Sequence, residues 1–161
     1  MLKLNKIIFI IILFCLCISC KHELSVQETT LNKNWELKSI GDTFWIPAIV
    51  PGSVHTDLLE NDIIENPYFR LNEHDLQWID KKDWLYKTTF SISQLEFDKK
   101  NSFLEFYGLD THAKVYLNDS LLLISDNMFR SYKVEVKDYL KIGSNDLQIL
   151  FESPINKGIE K

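Results

Sequence analysis

Two short stretches combine amide, aromatic and guanidinium side chains at close spacing. The first is Asn66-Pro67-Tyr68-Phe69-Arg70-Leu71-Asn72, with Trp78 and Trp84 bracketing the far end of the same region. The second is Asn127-Met128-Phe129-Arg130. Such sets suit carbohydrate binding: aromatic faces cover the C–H patches of a sugar, while amides and guanidinium groups fix its hydroxyls. Large aromatics also dominate protein cores. For Phe69, Trp84 and Phe129 the expectation is therefore a place in the core.

No catalytic constellation stands out. Glycoside hydrolysis takes two carboxyl groups placed across one bond, and no spacing among the 23 acidic residues singles out a pair. Asp80 and Asp83, or Glu60 and Asp62, read as solvated surface groups. The four histidines, His22, His55, His74 and His112, lack metal-ligand spacing. There is no phosphate-binding Gly-rich loop and no Gly-x-Ser-x-Gly elbow. The sequence thus predicts no catalytic residue, no metal and no cofactor. Asn118-Asp119-Ser120 matches a glycosylation sequon, and a hairpin turn explains it equally well.

The chain has 161 residues, 45% of them hydrophobic and 12% aromatic, which is enough for one domain with a real core. A formal charge of −5 argues against a nucleic-acid partner, because phosphate binding needs a basic footprint.

The first twenty residues read as a leader. Lys3 and Lys6 precede Ile7 to Ile18, an unbroken apolar run of twelve residues. That is short of the roughly 20 needed to span a bilayer, and it suits a signal-peptide core. The run ends at Ser19-Cys20, a pattern that resembles a bacterial lipoprotein signal, although Cys17 stands where Leu is usual. Cys20 is the expected lipidation site. The protein is then expected to be exported and held at a bacterial membrane through that lipid alone, in the periplasm or at the cell surface. Cys15, Cys17 and Cys20 are the only cysteines, so the mature domain has no disulfide. Losing two lysines and no acids takes its charge from −5 to −7.

Residues 21–30 are polar and aperiodic and read as a tether. Short strands with turn signals follow from Leu31. They run over Trp35–Ile40, Trp84–Ile92, Ser102–Tyr107, His112–Leu117, Leu121–Ile124 and Tyr132–Val136, with a last one carrying Leu147, Ile149 and Phe151 on one face. Phe44–Val50 contains Pro47 and is at best an edge strand. Ser53 is placed to cap a short helix over Val54–Glu60, with Val54, Leu58 and Leu59 inward. A helical turn is expected at Asp138–Leu140. Residues 61–82 read as a long irregular loop, and such loops usually do something. The predicted class is all-β, a jelly-roll sandwich ending near Ser153. Residues 154–161 read as a truncated stub without a core pattern.

These residues also carry a family resemblance. Val50-Pro51-Gly52-Ser53-Val54-His55-Thr56-Asp57-Leu58-Leu59 resembles the opening motif of β-mannosidases of glycoside hydrolase family 2. Asn66 to Arg70, Trp78-Ile79 and Asp83-Trp84-Leu85-Tyr86 fit the next blocks in order. Gly108-Leu109-Asp110-Thr111, Val115-Tyr116-Leu117-Asn118 and Asp126 to Tyr132 complete the set, which covers residues 31–153. The resemblance implies a galactose-binding-like jelly roll, incomplete at its C-terminal end. In the family this domain precedes immunoglobulin-like and (β/α)₈-barrel domains, and the barrel supplies both catalytic glutamates. The chain is therefore expected to be a fragment of an exo-acting β-mannosidase, inactive alone, whose partners are the missing domains and, weakly, β-mannoside glycans. The loop with Asn66, Tyr68 and Arg70 is the one expected to face the sugar pocket. The alternative is a free-standing surface lipoprotein that binds carbohydrate without cleaving it.

Overall fold

The computed structural model describes residues 26–159. The leader of residues 1–20 with Cys20, the tether's residues 21–25 and residues 160–161 of the expected stub lie outside the described residues. From Leu31 onward the chain forms one compact unit.

Among the described residues eight strands make two antiparallel sheets. The larger has the order β2-β1-β3-β8-β5-β6, and the smaller pairs β4 with β7. The strands are β1 Trp35–Ser39, β2 Ile46–Ala48, β3 Trp84–Ile92, β4 Phe103–Phe106, β5 Ala113–Leu117, β6 Ser120–Ser125, β7 Tyr132–Glu135 and β8 Gly143–Phe151. This is the expected all-β sandwich. Pro47 sits in β2 at the sheet edge, where a missing N–H leaves no ladder bond unmade.

Alternation decides what each strand buries. Trp35, Leu37 and Ser39 of β1 point inward, as do Trp84, Tyr86 and Thr88 of β3 and Ala113, Val115 and Leu117 of β5. In β8 Leu147 and Ile149 are buried and Phe151 is half-buried. Register joins them into rows. Leu37, Tyr86, Ile149, Val115 and Leu123 are successive cross-strand neighbours through the middle of the large sheet. Leu104, Phe106 and Tyr132 of the small sheet pack against this core. In β4 one face is covered, through Leu104 and Phe106, while Phe103 on the other face is 45% exposed. A strand with one covered face buries only alternate residues.

The β5–β6 hairpin turns on Asn118 and Asp119, both with positive φ (48° and 67°). Asn and Asp tolerate that conformation best among residues with a Cβ. Asn118 is also anchored: its Oδ1 accepts from Asp146 N, and its Nδ2 donates to Tyr139 O and Asn145 Oδ1.

Helix α1, Val54–Glu60, starts at a capping box between Ser53 and Thr56. Its buried residues are Leu58 and, against expectation, Asp57, while Val54 and Leu59 are half-buried. Single turns α2 Asn72–Asp75 and α3 Gln94–Phe97, and 3₁₀ turns at Ile79–Lys81 and Lys137–Tyr139, complete the connections.

The described part of residues 154–161 forms a helix, α4 Pro154–Ile159. It buries no residue, but polar bonds fasten its start. Ser153 N donates to Asp83 Oδ1 at 2.7 Å, and Ser153 Oγ donates to Asp80 O at 2.6 Å and accepts from Asn156 N. An apolar pattern is a poor guide to a segment held this way.

Candidate functional site

One row of the large sheet fixes where the loops gather. Ser39 lies opposite Trp84, Trp84 opposite Phe151, Phe151 opposite Ala113, and Ala113 opposite Ser125. The chain therefore leaves the same end of the sheet after Ser39, Phe151 and Ser125, and enters it before Trp84 and Ala113. Residues 108–112 and 126–131 adjoin that end, and the loop of residues 61–83 reaches it through Asp80 and Asp83, which bond Ser153.

Two aromatic turns there share one construction. Asn66 Oδ1 accepts from Tyr68 N at 2.9 Å, and Asn66 O accepts from Phe69 N at 3.1 Å. Asn127 Oδ1 accepts from Phe129 N at 2.9 Å, and Asn127 O accepts from Arg130 N at 3.4 Å. Each Asn side chain folds the backbone beneath the aromatic residue two places on. The ring is thereby turned outward: Tyr68 is 97% exposed and Phe129 88%.

In the first turn, Arg70 takes φ +56° and its guanidinium carbon stands 5.0 Å from the Phe69 ring centre. Asn72 Nδ2 closes the turn on Asn66 O at 3.0 Å. The structure thus brings Asn66, Tyr68 and Arg70 into one exposed turn. Asn66 Oδ1 is occupied by the backbone, so its Nδ2 is the group left for a ligand.

The core expectation holds for one of the three aromatics. Trp84 is buried, its Nε1 donating to Ile79 O at 3.0 Å and its ring 6.1 Å from that of Trp78. Phe69 and Phe129 are exposed instead. Side chain–backbone bonds in the Asn turns outweigh the tendency of a phenyl ring to bury.

Beside the first turn lies a depression of about 90 Å³, lined by His55, Pro67, Glu73, Leu76, Gln77 and Asp80. None of Asn66, Tyr68 and Arg70 lines it. Among the described residues no group of three or more His, Cys, Asp or Glu side chains is placed to hold a metal ion. No helix among them is long and apolar enough to cross a membrane.

Sequence reasoning missed Asp57. It is 1% exposed, its Oδ1 accepts from Ile49 N at 2.9 Å and its Oδ2 from the Tyr86 hydroxyl at 2.8 Å. No helix-period signal marked it, because its partners come from the segment before α1 and from β3.

Comparison with known proteins places this architecture. The family described as glycosyl hydrolase 2 galactose-binding domain-like matches residues 35–161. The chain belongs to this family. A probable β-mannosidase of Caenorhabditis elegans is 39% identical over 122 residues, covering 76% of this chain and 13% of the relative. A β-mannosidase of Capra hircus is 36% identical over 132 residues, covering 81% and 15%. The crystal structure of a β-D-mannosidase from Dictyoglomus thermophilum superposes with a TM-score of 0.82 at 37% identity, over 84% of this chain and 17% of that one. The galactose-binding-like domain is thus homologous to the N-terminal domain of family 2 β-mannosidases. It spans about a sixth or less of the length of these relatives. A β-D-glucuronidase of the same thermophile, at 22% identity and a TM-score of 0.59, shares the fold.

Proposed function

We propose that this chain is the galactose-binding-like domain of an exo-acting β-mannosidase, an enzyme that removes terminal β-D-mannose residues. The observation that carries the reading is the match to the Dictyoglomus thermophilum β-D-mannosidase, at 37% identity and a TM-score of 0.82. Retaining hydrolysis needs two carboxyl groups about 5–5.5 Å apart. In this reading both come from catalytic domains outside the 161 residues, and the chain alone turns over no mannoside. The Asn66–Arg70 turn borders the mouth of the sugar pocket, with Tyr68 offering a ring face, Asn66 an amide N–H and Arg70 a guanidinium. The protein is exported and held at the membrane by lipid on Cys20.

A domain exchange tests the assignment. Residues 31–159 replace the corresponding segment of the Dictyoglomus thermophilum β-D-mannosidase, and in parallel that of its β-D-glucuronidase. The first chimera is expected to hydrolyse 4-nitrophenyl β-D-mannopyranoside, and the second to lose its own activity. A folded but inactive mannosidase chimera beside an active glucuronidase chimera overturns the reading.

A further inference from the structure

We infer that strand β6 is a self-association edge: it pairs antiparallel with β6 of a second copy of this chain, across a two-fold axis, and joins the two six-stranded sheets into one. The pairing does not depend on the β-mannosidase reading, which the domain exchange tests separately.

Among the described residues four strands border the two sheets, β2 and β6 in the larger and β4 and β7 in the smaller. An edge strand offers unpaired N–H and C=O groups to any other strand, and proteins blunt such edges with proline, charge or brevity. β2 has three residues with Pro47 in the middle. β4 carries Glu105, and β7 carries Lys133 and Glu135. β6 has none of these devices. It reads Ser-Leu-Leu-Leu-Ile-Ser over Ser120–Ser125, six residues without a charge, a proline or a glycine. Leu121 is 47% exposed and Ile124 61%.

The register of β6 selects a second copy as its partner. Val115 lies opposite Leu123 and Tyr116 opposite Leu121, so Leu122 is an extra residue, a bulge. Leu121 and Ile124 lie opposite Tyr116 and Lys114, the outward residues of β5. Ser120 and Ser125 lie opposite the buried Leu117 and Ala113. In a regular strand, two residues three apart face opposite ways. A bulge can turn an edge aside; this one puts Leu121 and Ile124 on the same outer face, and Ser120 and Ser125 on the same inner one. Residues opposed in an antiparallel ladder must share a face, and a two-fold axis makes each pair occur twice. Leu121 against Ile124 of the second copy meets that condition, and so does Ser120 against Ser125. A slip by one residue sets Leu121 against Ser125 and breaks both matches. β6 is thus complementary to itself. The pairing gathers Leu121 and Ile124 from each copy into one apolar cluster on the outer face. Asp119 and Asp126 flank the strand and approach each other across the pair, so the contact tightens as salt screens them.

The test is sedimentation equilibrium of the full chain in density-matched detergent, with micelles in large excess, from about 1 µM to 1 mM protein, the span of a weak contact. A monomer–dimer equilibrium is expected, without larger species, because a two-fold pairing closes on itself. Leu121→Lys/Ile124→Lys sets like charges against each other and is expected to stay monomeric. Leu121→Lys/Ile124→Glu sets Lys against Glu twice, and is expected to dimerise at least about tenfold more tightly than the double-lysine variant. Thermal melts matching the parent's show that both are folded. Leu121→Thr/Ile124→Thr, which keeps strand propensity and removes the apolar cluster, is expected to weaken the dimer severalfold and gives a reading without added charge. A parent that stays monomeric at about 1 mM, open-ended polymers, a threonine variant that dimerises as the parent does, or equal behaviour of the Lys/Lys and Lys/Glu variants overturns the pairing.

Discussion

The Tyr86 hydroxyl donates to the buried Oδ2 of Asp57 at 2.8 Å, joining α1 to the central row of the large sheet. The other carboxylate oxygen holds the backbone of Ile49, just ahead of the Pro51-Gly52-Ser53 turn. One acidic side chain therefore fixes both the helix that carries His55 and the segment leading into it. A buried carboxylate is tolerated here because both oxygens receive hydrogen bonds.

Tyr86→Phe leaves Asp57 Oδ2 buried without a donor, a loss expected to cost about 1–3 kcal/mol. The pH dependence has a definite sign. Burial pushes the Tyr86 hydroxyl well above the usual tyrosine range, and the hydrogen bond to Asp57 and its negative charge push it further. A raised folded value means the contribution is complete below the unfolded value of about 10 and shrinks as pH climbs past it. Urea midpoints between pH 8 and 11, measured for both proteins, check this. The parent is expected to lose stability more steeply above about pH 10 than Tyr86→Phe.

The turn before α1 leaves no room for a side chain. A Cβ on Gly52 would stand 2.2 Å from the carbonyl oxygen of Ile49, a backbone atom that cannot swing aside. Gly52→Ala is expected to destabilise by about 1–3 kcal/mol, the range for overpacked sites. Gly41→Ala meets no atom within 4 Å and is limited to the cost of its positive φ. A chemical denaturation series that ranks Gly41→Ala below Gly52→Ala would contradict the steric account.

Glu152 ties α4 to the sheet. Its carboxylate sits 2.9 Å from Lys114 Nζ of β5 and 3.4 Å from Lys157 Nζ of α4. The hydrogen bond from Lys114, with smaller help from its charge and from Lys157, holds the Glu152 carboxyl below the usual glutamate range. A lowered folded value means the stabilisation is present above the unfolded value, about 4.3, and disappears as pH falls through the folded one. Hydrogen exchange at Lys157 and Ile159 is expected to accelerate in Glu152→Gln at pH 7, with little difference from the parent once the carboxyl is protonated. Equal exchange at pH 7 would leave α4 held by Ser153 and Asn156 alone.

Strand positions were legible wherever alternation was clean. Trp84–Ile92 is β3 residue for residue, and Leu147, Ile149 and Phe151 share the inward face of β8. The Asn118 hairpin and the Ser53 cap were legible because each depends on a local side chain–backbone bond. Asp57 was not: its partners lie 8 and 29 residues away, and nothing in a helix pattern marks an acid as buried. The depression was equally invisible, since His55, Pro67, Glu73 and Asp80 meet only through tertiary structure. Phe69 and Phe129 misled because composition counts a phenyl ring as core, whereas both sit on turns begun by an Asn that leave them exposed.

Lipidation of Cys20 has a direct readout. The Lys-flanked apolar run of residues 7–18 ending at Ser19-Cys20 is the basis for it. Cys20→Ala is expected to block processing or release the protein from membranes, with mass spectrometry of the parent showing an acylated N-terminal cysteine. A variant that matures normally and stays in the membrane fraction removes the anchor from the reading.

The exposed Tyr68 turn sets the strength of sugar binding. Asn66, Tyr68 and Arg70 stand on one turn, and a ligand stacked on a ring that is 97% exposed is covered from one side. The surface buried that way barely offsets the lost rotational and translational freedom of the sugar. Mannose is expected to bind the chain no more tightly than about millimolar, or roughly −4 kcal/mol. In Tyr68→Ala the stacking contact is gone and the loss is at most a few fold, because little was gained from it. Calorimetry with mannose and β-linked manno-oligosaccharides separates the alternatives. Micromolar binding abolished by Tyr68→Ala would mean that the turn is a complete glycan site on its own. The protein would then act as a carbohydrate-binding surface lipoprotein, with no need of a catalytic domain to close the pocket.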